Sequence, residues 1–383
     1  MTDTPSPRSV LVIGGGTSGN SLTVLLRRAG IAVDLVEASP DWKSAAGSGI
    51  TLQGNALRVL REVGVLDGIE KDGCAVDGVG ILACDGTELA AHPDFRTGGD
   101  DLPAHIGMQR PRLQQLLIEQ VRASGADVRL GTRATAFRQD GEGVDVTFSD
   151  GTARRYDLVV GADGLHSATR RMIGITDEPE PTGMAIWRAP APRPAGVTRT
   201  DMVYSGRCFV AGYCPTSEDT VYAYLVEPAR DRAELDPDTY ADEMRRLSEG
   251  YGGAWEEIRA SFTDPKVVNY ACFDRLLVEG AWHRGRVVLV GDAVHCCPPT
   301  LAQGAAMSLE DVLVLAELLT GRGDWDERLF HDYHGRRLPR VRMVVDTSVQ
   351  IGRWLLDRAP DQERGRDVAA LMDRTMTALK EHP

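Results

Sequence analysis

Three glycines between two short apolar runs constrain this chain more than any other stretch. Ser9-Val10-Leu11-Val12-Ile13 is apolar and too short to stand as a helix. Gly14-Gly15-Gly16-Thr17-Ser18-Gly19 follows, then a helical pattern carried by Leu22, Leu25 and Leu26 that stops at Gly30. A second run, Ala32 to Val36, ends at Glu37. Strand, glycine turn, helix, strand and acid form the βαβ unit that binds dinucleotides. Gly14 permits a sharp exit from the strand, Gly16 leaves room for a pyrophosphate, and Gly19 lets helix and strand approach closely. The first-turn amides of the helix, at Thr17 and Ser18 onward, face the diphosphate with the positive end of the helix dipole. Glu37 stands where a carboxylate accepts hydrogen bonds from an adenosine ribose. The motif alone does not separate FAD from NAD.

With 383 residues, the chain suits two interleaved domains, or one large α/β domain with an insertion. A net charge of −13 without any Lys/Arg run argues against nucleic acid and anionic membrane partners. No stretch is long and apolar enough to span a bilayer. Met1 to Arg8 lacks the apolar core of a secretion signal, so a cytoplasmic location is expected. The seven cysteines are odd in number and form no C-x-x-C pair, which argues against a disulfide framework and a structural zinc site. The adjacent Cys296-Cys297 pair reads as small apolar packing in preference to a redox pair.

Along the chain, a loop over 38–49 precedes a helix with Asn55 as its cap, Leu57, Leu60 and Val63 as its apolar face, and Gly64 as its end. Short strands and turns occupy 76–103. Arg110-Pro111 opens another helix, through Leu113, Leu116, Leu117 and Val121. Residues 134–154 alternate around two Asp-Gly turns, a small antiparallel meander. From 178 the chain becomes proline-rich and then β-like to about 270, interrupted by a helix over 237–249. Arg286 to Val290 is a buried strand, a helix over 303–319 follows, and the remainder reads as helical with a polar end expected to fray from about 361. The resulting fold class is α/β. A Rossmann-like nucleotide-binding domain (1–75, 104–177 and 277–323) carries an inserted antiparallel-sheet substrate domain (76–103 and 178–276), followed by C-terminal helices over 324–383.

Gly161-Ala162-Asp163-Gly164 and Gly291-Asp292 also end apolar strands. In an open parallel sheet, ligands bind beyond the carboxyl ends of the strands, so all three motifs converge on one extended ligand. The set resembles the FAD-dependent monooxygenases of the para-hydroxybenzoate hydroxylase type, the single-component aromatic hydroxylases. The resemblance rests on Gly14-x-Gly16-x-x-Gly19 with Glu37 and on Arg110 within Gln-Arg-Pro-Arg-Leu. It continues through Gly161-Ala162-Asp163-Gly164 to Arg170, and Gly291-Asp292-Ala293-Val294-His295 with Pro299 and Gln303-Gly304.

That resemblance implies FAD, with its diphosphate on 14–19, its adenosine ribose on Glu37, its diphosphate and ribitol reached by Arg110, and its ribitol bonded by Asp292. It implies that Asp163 serves both FAD and the nicotinamide cofactor, NADH or NADPH, which binds transiently without a domain of its own. The turn Ala302-Gln303-Gly304 opens a helix whose positive end faces the flavin N1–C2 carbonyl, where a reduced anionic flavin carries charge. Family members usually have glycine at the position of Ala302 and alanine at that of Val294.

The implied reaction uses NAD(P)H and O2 to hydroxylate an aromatic or heteroaromatic small molecule through a flavin C4a-hydroperoxide. Pro299 borders the space above the flavin. His295 is a candidate base, against a packing role. Trp187, Arg188, Tyr204, Phe209, Tyr213, Tyr222 and Tyr224 are candidates to line the substrate, Arg188 as partner of a carboxylate. Period two puts Tyr222 and Tyr224 on one face. The protein is expected to be a monomer or homodimer. A halogenase on the same fold is disfavoured, since its W-x-W-x-I-P signature is absent and only four lysines are present. The motifs are also compatible with an FAD-dependent reductase or dehydrogenase, and with a protein that binds flavin without turnover.

Overall fold

The computed structural model describes residues 8–42, 49–357 and 362–383. Residues 43–48 of the predicted 38–49 loop lie outside the described residues, as does the start of the chain before Arg8. The central sheet has six strands in the order His283–Arg284, Val287–Leu289, Leu158–Gly161, Ser9–Ile13, Ala32–Glu37 and Asp127–Leu130. All pairings are parallel except the outer one between His283–Arg284 and Val287–Leu289. Ser9–Ile13 and Leu158–Gly161 are almost wholly buried, which is why both read as unbroken apolar runs rather than alternating ones. The helices Thr17–Arg28, Arg110–Ala123 and Gly304–Gly321 pack on this layer. The predicted meander is the three-stranded sheet Ala134–Gln139, Val144–Phe148, Ala153–Tyr156.

A second, eight-stranded sheet runs His295–Cys296, Asn269–Leu277, Glu180–Pro192, Thr220–Pro228, Val210–Pro215, Thr200–Val203, Gly78–Leu82, Glu88–Pro93. Strands from 76–103 thus extend, at one edge, the sheet built by the strands from 178–277. One face packs beneath the helices Tyr240–Ser248 and Ala254–Ala260 through Trp187, Tyr213, Ala223, Leu225 and Trp255. The first of these is the predicted helix, shortened by a 3-10 turn at Pro237–Thr239, and the second was not read from the sequence.

Two local expectations are corrected. Asn55 does not cap its helix: Gln53 is the cap residue of Gly54–Val63, and Asn55 is the second residue inside it, fully buried. Gly64 does close that helix, in the left-handed conformation at φ 77°. The polar end of the chain does not fray. Gln362–Ala378 is a helix, and Thr375, Met376 and Leu379 are buried against the core. The backbone carbonyls of 378–381 also accept from Arg58 and Arg340, contacts that no hydropathy pattern reveals.

Candidate active site

The three motif glycines are required for three different reasons. Gly14 has φ +108°, and a Cβ there would be driven into the carbonyl of Ala162. A Cβ on Gly19 would collide with the carbonyl oxygen of Gly14. Gly16 is exposed, and a Cβ on it would meet nothing within 4 Å. Two glycines therefore serve internal packing, and the third keeps an outside space open. The turn is pinned at the Gly15 carbonyl, which accepts from Gln114 Nε2 at 2.7 Å, Asn20 Nδ2 at 2.8 Å and Trp42 Nε1 at 3.1 Å. Glu37 accepts the backbone N–H groups of Gly15 and Ser39, both at 2.7 Å. A carboxylate has about four acceptor positions, so capacity remains for a ribose.

The other strand ends arrive at the same place. Asp163 lies beneath the Gly14 turn and accepts from Ser167 Oγ and from the backbone and hydroxyl of Thr169. Arg170, fully buried, donates at 2.9 Å to the carbonyls of Leu165 and Ala293, bracing the second motif against the third. A Cβ on Gly291 would stand 2.9 Å from both Ser18 and Ser308 hydroxyls, so the first and third motifs touch. The Asp292 carboxylate opens onto this cleft, and Ser308 donates to it at 3.3 Å. The protein enclosing it pushes its carboxyl up, against the pull of His295 and Arg110. Arg110 is exposed, faces both Asp292 and Tyr222, and makes no hydrogen bond or ion pair among the described residues. It is a cation left available for an anionic ligand.

Gly304–Gly321 begins at this cleft. Its first backbone bond runs from Met307 to the Gln303 carbonyl, leaving the amides of 304–306 free of intrahelical acceptors. Ala302, before it, is the one non-glycine residue with positive φ among the described residues, at 52°. Behind the helix start lies a buried charged network that sequence reasoning missed. Glu310 and Asp311, both fully buried, meet Arg337 at 2.9 and 2.8 Å. Arg340 adds two bonds to Glu310, at 2.7 and 2.8 Å. Asp311 also accepts the Gly291 N–H at 2.9 Å and lies 2.6 Å from His295 Nε2. Burial alone would push the Asp311 carboxyl up, but His295 and Arg337 outweigh it and hold it below the usual range. The available signal was an Arg337-x-x-Arg340 pair one turn apart, matching the adjacent acids Glu310 and Asp311 within a mostly apolar helix.

This placement corrects the candidate base. His295 is enclosed, hydrogen-bonded to Asp311 and stacked near Trp282 at 5.7 Å, so it braces the Gly291-Asp292 turn. Tyr213 is corrected as well. It is buried on the helix-covered face of the large sheet, donating to Asp201 at 3.2 Å and packed on Trp255. Trp187 shares that face and donates to Glu227 at 2.6 Å.

The opposite face turns toward the nucleotide-binding body. Cross-strand register lines up Met202, Gly212, Tyr224, Arg188 and Asn269 in one row, with Cys214 and Tyr222 beside it. Tyr222 and Tyr224 are half-buried with ring centroids 5.4 Å apart. Tyr204 stands 50% exposed at the edge, and Phe209 is buried with Ile186, Val226 and Phe273. Arg188 donates to Asn269 at 2.8 Å and neighbours Tyr222, while its buried Nε has no partner among the described residues. Pro299, exposed, begins the turn that leads to Ala302. Burial pushes the Cys297 thiol up to about 12 and the Cys296 thiol higher still, so neither is a ready nucleophile.

A glycine-lined turn with open space at Gly16, an available Arg110 and free helix amides at 304–306 fit the diphosphate and isoalloxazine of FAD. Fold and site together define a flavoprotein of the kind that pairs a Rossmann-like layer with a largely antiparallel second sheet. A family profile described as the FAD binding domain matches residues 8–348, and the chain belongs to that family. It is 32% identical over 359 residues to "Putative FAD-dependent monooxygenase YetM" of Bacillus subtilis, covering 93% of this chain and 96% of that one. It is 32% identical to the 2-heptyl-3-hydroxy-4(1H)-quinolone synthase of Pseudomonas aeruginosa, with 90% of each chain covered. Among solved structures, 2-methyl-3-hydroxypyridine-5-carboxylic acid oxygenase superposes with a TM-score of 0.77 at 26% identity, over 92% of each chain. The protein is an FAD-dependent monooxygenase of the aromatic hydroxylase type.

Proposed function

We propose that the substrate is a flat nitrogen heteroaromatic bearing an anionic or enolic oxygen, of the hydroxypyridine or quinolone kind. Arg188 carries this reading. Its Nε is buried without a partner among the described residues, on the sheet face opposite the covering helices, beside Tyr222 and Tyr224. A buried guanidinium nitrogen lacking an acceptor costs free energy unless a ligand supplies one. An oxyanion held there places the ring against the two tyrosines, whose faces offer stacking. Two similar proteins are named for reactions on a quinolone and on a hydroxypyridine, which supports the same class.

Bound FAD supplies the redox chemistry, with NADH or NADPH as reductant and O2 as the source of the inserted oxygen. The chain's residues do the rest. Gly14, Gly16, Thr17, Ser18, Gly19 and Glu37 hold the diphosphate and ribose. Arg110, Asp163 and Asp292 fix the middle of the cofactor. The amides following Ala302 and Gln303, from Gly304 on, place partial positive charge where negative charge develops. Pro299 and the tyrosine face keep water from the reacting ring. Arg188 favours the deprotonated, electron-rich form of the substrate. The same reading places the enzyme in the cytoplasm, as a monomer or homodimer.

The test is consumption of NADH and of NADPH by the yellow protein across phenols, benzoates, hydroxypyridines and quinolones, with peroxide measured alongside. One of the last two classes should accelerate consumption with little peroxide and yield a hydroxylated product. Coupled turnover of a neutral phenol in preference to every heterocycle would reject the substrate class. Product formed without oxygen would instead identify a reductase.

A further inference from the structure

We propose that Asn55 and the chain's final segment, 375–383, are positioning elements for the cofactor, acting together through Gln303. This rests on the placement of FAD at the start of Gly304–Gly321. Ala302 is held in a left-handed conformation that disfavours any residue with a Cβ, so its turn needs an external restraint. Gln303, fully buried, supplies it: its Oε1 accepts from Asn55 Nδ2 at 3.0 Å, and its Nε2 lies 3.8 Å from Met376 Sδ. Asn55 is itself fixed, donating to Glu310 at 2.9 Å and bonding Thr97 through both its backbone and its side-chain oxygen.

Glu310 leads to the final segment. Arg340, which holds Glu310, donates through its other hydrogens to the carbonyls of Ala378, Leu379 and Glu381, at 2.9–3.0 Å. Arg58 donates to the carbonyls of Lys380 and Glu381 and lies 3.9 Å from Glu310. Leu379 is fully buried beside them. A continuous chain of polar contacts thus runs from residues 378–381 through Arg340, Glu310 and Asn55 to Gln303. The family match ends at residue 348, so this support comes from outside the matched segment.

The test compares Asn55→Ala and Leu379→Ala with Leu247→Ala, a buried leucine in the helix-covered core of the far sheet. The readouts are exchange of the amides of Ala302 and Met307, hydrogen-bonded to the Pro299 and Gln303 carbonyls, in apoprotein, the FAD dissociation constant and the reduction potential of bound flavin. Asn55→Ala and Leu379→Ala should speed exchange at Ala302 and Met307 and weaken FAD about tenfold, the weight of one net hydrogen bond. They should shift the potential, and the double variant should fall short of additivity. Leu247→Ala should lower the melting temperature and leave all three readouts alone. Wild-type exchange and FAD affinity in both test variants, or equal changes in all three proteins, would overturn the proposal. A wild-type protein that binds no FAD would overturn the functional reading beneath it.

Discussion

Gly16→Val separates folding from cofactor binding within a single motif. Gly16 has φ −82° and ψ −166°, a backbone that valine adopts without strain, and a Cβ there meets no protein atom within 4 Å. Apoprotein stability should therefore change by less than about 1 kcal/mol, the scale of the chain-entropy and capping terms involved. The added side chain fills the approach of the diphosphate. Losing two charge-assisted hydrogen bonds, at about 1.5–3 kcal/mol each, predicts FAD binding weaker by about 10² to 10⁴-fold. Gly19→Ala is the contrast, because its methyl is driven into the Gly14 carbonyl and should destabilise the apoprotein by about 1–3 kcal/mol or more. Urea unfolding of apoprotein and quenching of FAD fluorescence measure the two effects independently. Gly16→Val binding FAD like the wild type, or unfolding as readily as Gly19→Ala, would refute the reasoning.

Asp292→Ala should purify largely without FAD yet fold, since Asp292 opens onto the cleft and is bonded only by Ser308 among the described residues; full yellow occupancy would remove the ribitol from this position. Arg337→Met leaves Glu310 and Asp311 buried with fewer partners and should cost about 3–5 kcal/mol in urea unfolding. The exposed Arg275–Glu180 pair should be worth about 1 kcal/mol or less by the same method. His105 provides a pH test. Burial opposes its charge, but Asp94 at 2.8 Å and nearby Cys214 prevail and hold it up to about 9. Its ordinary value is 6.5, so its charged form stabilises the fold fully below that pH. That contribution, about 1–3 kcal/mol, should fade as pH rises from 6.5 toward 9 and should be missing in His105→Gln.

The cofactor half of the candidate site is legible in sequence because its signals are local. Gly14, Gly16, Gly19 and Glu37 lie within one βαβ unit, and Asp163 and Asp292 each end an apolar strand, so backbone geometry fixes their direction. The substrate half is not. Strand periodicity separates Trp187, Tyr213 and Ala223 from Arg188, Tyr222 and Tyr224 but does not say which set stays uncovered by helices. Helices Tyr240–Ser248 and Ala254–Ala260 decide that by covering the first set. Asn55 misled because its common local role was displaced by distant partners, while His295 takes the packing role that the sequence also allowed. The partners are Gln303 and Glu310 for Asn55, and Asp311 for His295. The final segment looked polar enough to fray because part of its attachment is made by carbonyl oxygens, present in every residue, to Arg58 and Arg340 hundreds of positions or one helix away. Sequence determined where the chain turns and which strand ends carry chemistry, through steric limits on glycine and apolar runs. Tertiary structure alone decided which face and which buried charges complete the site, because those depend on partners that only folding brings within hydrogen-bond range.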